Sequence, residues 1–96
     1  MNDKLKGKDM NGLFEAILTL KNVDECYLFF DDLCTMKELK SMAQRFVVAQ
    51  MLTKKYVYND IVEQTGASTA TISRVNRSLS YGNDGYELVF ERLRKK

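Results

Sequence analysis

The chain has 96 residues, of which 45% are hydrophobic and 29% charged, and it contains neither proline nor histidine. This length favours a single domain (1–96), and the composition is that of an ordinary soluble globular protein. Its longest apolar stretches, 27–30 and 46–49, are far shorter than the roughly 18 residues of a membrane span, and the N-terminus lacks the apolar run of a signal peptide. We therefore expect a cytoplasmic protein with no membrane partner. Because the commonest helix breaker is missing, the expected fold class is all-α.

The net charge of +2 is unevenly distributed along the chain. Residues 1–36 carry a net charge of −3, and residues 37–96 carry +5. A basic C-terminal part is compatible with a phosphate-bearing partner, but charge alone does not identify one.

Two helices are predicted before residue 35. Apolar residues such as Leu13 and Ile17 recur at helical spacing and predict a first helix over about 10–21. Asp24 is suited to cap a second, short helix that is apolar on nearly all sides. A surface helix of a monomer does not need so many large apolar groups, so we expect the helices of about 10–34 to meet a partner subunit.

The segment 35–38 has the sequence of a capping box, in which the Thr35 hydroxyl accepts from the Glu38 amide and the Glu38 carboxylate accepts from the Thr35 amide. It predicts the start of a long helix over about 36–54. Lys54 and Lys55 suit the negative end of that helix dipole. They are expected to be solvated, with phosphate contact as the alternative.

Residues 57–79, VYNDIVEQTGASTATISRVNRSL, have the pattern of a helix-turn-helix. Gly66 supplies the positive φ that the turn requires, and Ser68 can cap the second helix. Ile72 and Val75 are spaced to pack inwards. After a turn cluster at 80–85, a last helix is predicted over about 86–94.

The outward face of the second motif helix predicts contact with DNA. Short side chains let a backbone approach base edges, and arginines can bond phosphates or guanine. No acidic residue occurs between Glu63 and Asp84, whereas an ordinary solvated helix usually alternates acids with lysines. The candidate DNA-contacting residues are Ser68, Thr69, Ala70, Thr71, Ser73, Arg74 and Arg77. The alternative is an adaptor module that binds protein or RNA.

Enzyme chemistry is not expected. The sequence has no histidine, no Gly-rich phosphate loop and no metal-ligand cluster. Cys26 and Cys34 lack a CxxC spacing and a base partner, and we expect buried, unreactive thiols rather than a disulfide or redox switch. We therefore expect no catalytic residue, no metal and no cofactor.

The stretch from Thr35 to Leu93 resembles the Trp repressor superfamily, most closely its YerC/YecD-type branch of Trp-repressor-like proteins. The resemblance rests on TMKEL, on the AQR segment and above all on TGASTATISRVNRSL. It implies an all-α fold of about six helices and an intertwined homodimer whose N-terminal helices interlock. It also implies that the helix at 68–78 of each protomer enters a major groove, with half-sites about one DNA turn, roughly 34 Å, apart.

The same resemblance raises the question of a small effector. Family members that use tryptophan hold it between two arginines and a glycine, and Thr35, Arg45 and Arg74 are the counterparts here of the polar residues. The glycine position is Val75, whose β-branched side chain would fill the space of the indole. We expect that free tryptophan does not bind and that Arg45 and Arg74 make local ion pairs or phosphate contacts. Binding of a different small effector remains an alternative.

Overall fold

A computed structural model describes residues 3–96, and those residues form six helices and no strand. The expectation of an all-α fold with about six helices is confirmed. The helices are α1 (Lys8–Ile17), α2 (Val23–Leu33), α3 (Met36–Thr53), α4 (Tyr58–Thr65), α5 (Thr69–Tyr81) and α6 (Gly85–Arg94). None of these helices has the length and apolar character to cross a membrane.

The chain divides into two compact units, Met1–Leu39 and Lys40–Lys96. In the first unit, α1 and α2 contain no fully buried residue. Cys26 is accordingly exposed and Cys34 half-buried, both as free thiols. The expectation that both thiols are buried was wrong for the single chain, because no residue of α2 is fully buried there.

Two helix ends in the first unit differ from the sequence-based expectation. After Leu18 the backbone bonds change to the i→i−3 type, with the Thr19 amide and hydroxyl both donating to the Ala16 carbonyl, at 3.1 and 2.6 Å. α1 therefore ends four residues before the predicted position. The cap of α2 is Asn22 rather than Asp24: its Oδ1 accepts from the Glu25 amide at 2.9 Å.

The capping box at the start of α3 is confirmed. The Thr35 amide donates to Glu38 Oε1 at 2.8 Å, and the Glu38 amide donates to Thr35 Oγ1 at 3.1 Å. The first bond, and secondarily the Thr35 side chain, lowers the pKa of the Glu38 carboxyl. Both groups are exposed, so the box acts locally at the helix start.

The second unit contains a small apolar core. Its buried residues come from four helices and the turn between α4 and α5: Val48, Ala49, Met51, Ile61, Ala67, Ile72, Val75 and Phe90. An aromatic cluster extends this core, with the Phe46 ring centroid 5.4 Å from that of Phe90 and 6.5 Å from that of Tyr86. This core fixes α4 and α5 against α3 and α6.

The C-terminal end of α3 has the bonding of a Schellman motif. The Tyr56 amide donates to the Met51 carbonyl at 3.1 Å, and the Lys55 amide donates to the Leu52 carbonyl at 3.0 Å. Lys55 takes the left-handed conformation of this motif, with φ 69°, although glycine is the usual residue there.

Candidate nucleic-acid interface

The turn between α4 and α5 is built by Thr65, Gly66 and Ala67. Gly66 has φ 72° and ψ 4°, and its amide donates to the Val62 carbonyl at 2.9 Å. The Thr65 hydroxyl donates to the Ile61 carbonyl at 2.6 Å and accepts from the Ala67 amide at 3.1 Å. The predicted role of Gly66 is confirmed, and these three bonds of the turn all lie within the motif.

Ser68 caps α5, as the sequence predicted. Its Oγ accepts from the Thr71 amide at 3.1 Å and donates to Thr71 Oγ1 at 3.0 Å. Ser68 is exposed, while Thr71 is half-buried. The two hydroxyls at the start of α5 are thus already engaged with each other, and a nucleic acid would meet them as one small polar group.

The remaining candidate residues share one exposed side of α5: Thr69, Ala70, Ser73, Arg74 and Arg77. On the opposite side Ile72 is 0% and Val75 2% exposed. Residues three and four apart lie on one helix face, so burial of Ile72 and Val75 determines which side chains face solvent. The structure therefore brings the five together on one surface.

The arginines of this surface form no ion pair among the described residues. Within the described range, 3–96, no carboxylate lies within salt-bridge distance of Arg74, Arg77 or Arg45; the ion pair observed there joins Glu91 and Lys95 on α6, at 3.2 Å. The local ion pairs expected for Arg45 and Arg74 are absent from these residues. Both guanidinium groups of the α5 surface are available to an anionic partner.

The three candidate effector residues have different surroundings. Thr35 lies in the unit Met1–Leu39, where its amide and hydroxyl are both bonded to Glu38. In the other unit Arg45 is half-buried on α3 and Arg74 is exposed on α5. Three surface grooves of about 370, 380 and 430 Å³ in that unit have linings that include neither arginine. Val75 belongs to the buried core.

Gln44 is a residue that the sequence analysis did not single out. Its Nε2 donates to the Thr65 carbonyl at 3.2 Å and so connects α3 to the turn of the motif. The two residues are 21 positions apart, and no pattern along the chain identifies such a pair.

Two packed helices joined by a glycine turn, with an acid-free face on the second helix, define a helix-turn-helix protein of all-α class. The model of the family described as "Trp repressor protein" matches residues 8–94. The chain belongs to the Trp repressor family, whose fold is that of DNA-binding regulators rather than of enzymes.

Known relatives agree with this assignment. The chain is 56% identical over 93 residues to the uncharacterized protein YerC of Bacillus subtilis (strain 168), covering 97% of this chain and 89% of YerC. A TrpR-like protein from Eubacterium eligens has a crystal structure that matches with a TM-score of 0.93 and 63% identity, covering 96% of this chain and 95% of that one. A candidate Trp repressor from Staphylococcus aureus matches with a TM-score of 0.94 and 52% identity, covering 100% and 97%.

Proposed function

We propose that the protein is a sequence-specific DNA-binding transcriptional repressor that acts in the cytoplasm as a homodimer, without tryptophan as co-repressor. The observation that carries this proposal is the outward face of α5, where five exposed residues include two unpaired arginines and no acid. The opposite face is anchored by Ile72 and Val75. Such a helix presents a rigid, positively charged surface of the size that a DNA major groove accepts.

The proposed contacts follow from side-chain length. Thr69, Ala70 and Ser73 are short, so the backbone of α5 can come close to base edges, where a methyl group can meet thymine and a hydroxyl can form a single hydrogen bond. Arg74 and Arg77 reach further, to phosphates or to guanine. Ser68 and Thr71 contribute the small polar group at the helix start.

A homodimer is supported by the apolar surface of the first unit. Leu18 is 83% exposed, and Tyr27 and Leu28 are each 72% exposed. Large apolar groups on helices without a buried residue are expected to be covered by another surface. In the proposed dimer, the N-terminal helices of two copies interlock and place the two α5 helices one DNA turn apart, roughly 34 Å.

Independence from tryptophan is supported by Val75. Its side chain is 2% exposed and packs in the core with Ile72 and Val48. An indole stacked at this position would have to displace that core side chain, which costs stability. Isothermal titration calorimetry is expected to give no stoichiometric heat with free tryptophan; micromolar uptake would contradict this part of the proposal.

The experiment that tests the function is a binding selection from random duplex DNA with purified protein at moderate salt and no added ligand. We expect a palindromic consensus with half-sites one turn apart. Affinity should fall with salt by about 0.9 log units per phosphate contact per decade. A failure to enrich any sequence, both without ligand and with a mixture of amino acids and metabolites, would overturn the proposal in favour of an adaptor that binds protein or RNA.

A matched set of variants tests the assigned surface. Arg74→Ala should weaken binding to all sequences, and Ser73→Ala should change the preference at one base pair by about 1–3 kcal/mol. Lys95→Ala removes the same charge from a side chain already paired with Glu91 and should have little effect. Unchanged affinity in both Arg74→Ala and Arg77→Ala would show that DNA binds elsewhere.

A further inference from the structure

We infer that Gln44 is a positioning residue for the DNA-binding surface: its side-chain amide holds the turn from which α5 starts. This inference rests on the proposed function. Among residues 5–96, the bond from Gln44 Nε2 to the Thr65 carbonyl, at 3.2 Å, is the one side-chain hydrogen bond that joins residues more than four positions apart. Every other side-chain hydrogen bond in that range joins residues four positions apart or fewer.

The position of the accepting atom, the Thr65 carbonyl oxygen, explains how this bond can orient α5. Thr65 is the last residue of α4, and the last carbonyls of a helix have no donor within that helix. Gly66 follows in the left-handed conformation, and Ser68 caps α5 three residues after Thr65. The Thr65 carbonyl is therefore the atom of α4 whose position most directly sets where α5 begins.

Apolar packing alone fixes the position of the Thr65 carbonyl less tightly than a hydrogen bond does. Ile61 and Ile72 are fully buried in the same apolar core as Val48, but burial of apolar surface is non-directional and tolerates small shifts of one helix along another. A hydrogen bond has a preferred length and angle. Gln44 is half-buried, so its bond to the turn is partly shielded from competition with water.

The consequence concerns specificity rather than overall affinity. Thr69, Ala70 and Ser73 are short, so a small displacement of α5 removes their contacts with base edges. Arg74 and Arg77 are long and flexible and can follow a phosphate through the same displacement. Loss of the Gln44 bond is expected to reduce discrimination between operator and unrelated DNA while non-specific binding persists.

The test compares Gln44→Met with Gln50→Met. Methionine keeps the length of glutamine and removes the donor. Gln50 is a matched control because it is half-buried on the same helix and makes no side-chain hydrogen bond within residues 5–96. For Gln44→Met we expect the ratio of affinities for the selected operator and a scrambled duplex to fall roughly two- to tenfold, the range of one net hydrogen bond. Gln50→Met should keep the wild-type ratio, and both should bind the scrambled duplex as the wild type does.

A second variant separates hydrogen bonding from filling of space. Gln44→Glu keeps the shape, but its carboxylate would face the Thr65 carbonyl oxygen without a proton to donate. We expect its discrimination to be lower than that of Gln44→Met. Equal discrimination in the wild type and both Gln44 variants would overturn the inference, as would a parallel loss of thermal stability and of affinity for both duplexes.

Amide hydrogen exchange gives a readout that does not depend on DNA. The Ala67 amide donates to Thr65 Oγ1 within the held turn, and it should exchange faster in Gln44→Met than in the wild type or in Gln50→Met. Unchanged exchange would overturn the positioning role whatever the DNA result. A wild-type protein that selects no DNA sequence while Gln44→Met accelerates this exchange would refute the proposed function and leave the role of Gln44 in the turn intact.

Discussion

The Glu38 carboxylate is fully exposed. Its contribution to the free energy of unfolding can be measured from the pH dependence of stability. Its pKa is lowered by the bond from the Thr35 amide and by the Thr35 side chain. A carboxyl group with a lowered folded-state pKa stabilises the fold above its unfolded-state pKa and loses that contribution as pH falls through the folded-state value.

We therefore expect Glu38→Gln to melt at a lower temperature than the wild type at pH 7, where the charged carboxylate makes its bond to the Thr35 amide. The difference between the two proteins should narrow as pH falls below the ordinary glutamate pKa of about 4.5, and it should be lost once pH is below the lowered folded-state pKa. Thermal unfolding followed by circular dichroism at several pH values measures it. A difference in melting temperature that stays constant from pH 7 to pH 3 would mean that the charge of Glu38 has no part in the cap.

Lys55 is a second residue with a specific energetic consequence, because it has φ 69° without being glycine. The left-handed conformation destabilises an L-residue by roughly 1–2 kcal/mol, and glycine is free of this strain. Glycine loses more conformational entropy on folding, which offsets part of the gain. Lys55→Gly should therefore raise the melting temperature by a few degrees. Lys54→Gly, one residue earlier and outside the left-handed region, should lower it; equal losses in both variants would contradict the strain at Lys55.

Residue-level features with a purely local cause could be predicted from the sequence. The Thr35–Glu38 box, the turn at Gly66 and the cap at Ser68 each depend on a few neighbouring residues, and all are present. The bond of Gln44 could not be predicted, because it depends on where α3 and α4 pack in three dimensions. The exposure of Cys26 and the half-burial of Cys34 were missed because the apolar residues of α2 were expected to be buried, and within one chain none of them is.

At the scale of the element, the start of α5 combines a stabilising cap with a surface proposed to face DNA. Ser68→Ala removes the cap and should lower the stability by about 1 kcal/mol. Ser68→Asp keeps a capping oxygen beside the Thr71 amide and should keep the stability, but its negative charge should weaken binding to every DNA sequence. Urea unfolding and DNA titration of the two variants separate these effects. A Ser68→Asp protein that binds DNA as tightly as the wild type would place the phosphates away from the start of α5.

The helix ends were predicted accurately where a local cap or turn marks them and less accurately elsewhere. α5 and α6 begin within a residue or two of the expected positions because a serine cap and a turn cluster precede them. α1 was predicted to continue to residue 21 because apolar spacing persists there, but Thr19 offers its hydroxyl to a carbonyl of the last turn, and the helix stops at Ile17. Apolar periodicity predicted the presence of α1 but not the residue at which it stops.

At the scale of the whole molecule, the apolar surface of the N-terminal helices predicts the behaviour of the assembly. Leu28→Lys places a charge on a side chain that is 72% exposed in the single chain and that the proposed dimer buries. We expect analytical ultracentrifugation to show a shift from dimer to monomer, and operator affinity to fall because the second half-site is lost. Asp24→Lys introduces the same cation at an exposed position that is already charged and should leave the dimer intact. A Leu28→Lys protein that remains a dimer would assign the interface to another surface.

The local character of the polar contacts also bears on how the chain acquires its structure. Within residues 5–96, every side-chain hydrogen bond but that of Gln44 closes over four positions or fewer, and chains dominated by such near-neighbour contacts fold in microseconds to milliseconds. The helices α1 and α2, which contain no fully buried residue, would then gain their final stability only when two chains meet. The slow step in refolding should accordingly be bimolecular, and its rate should rise in proportion to protein concentration.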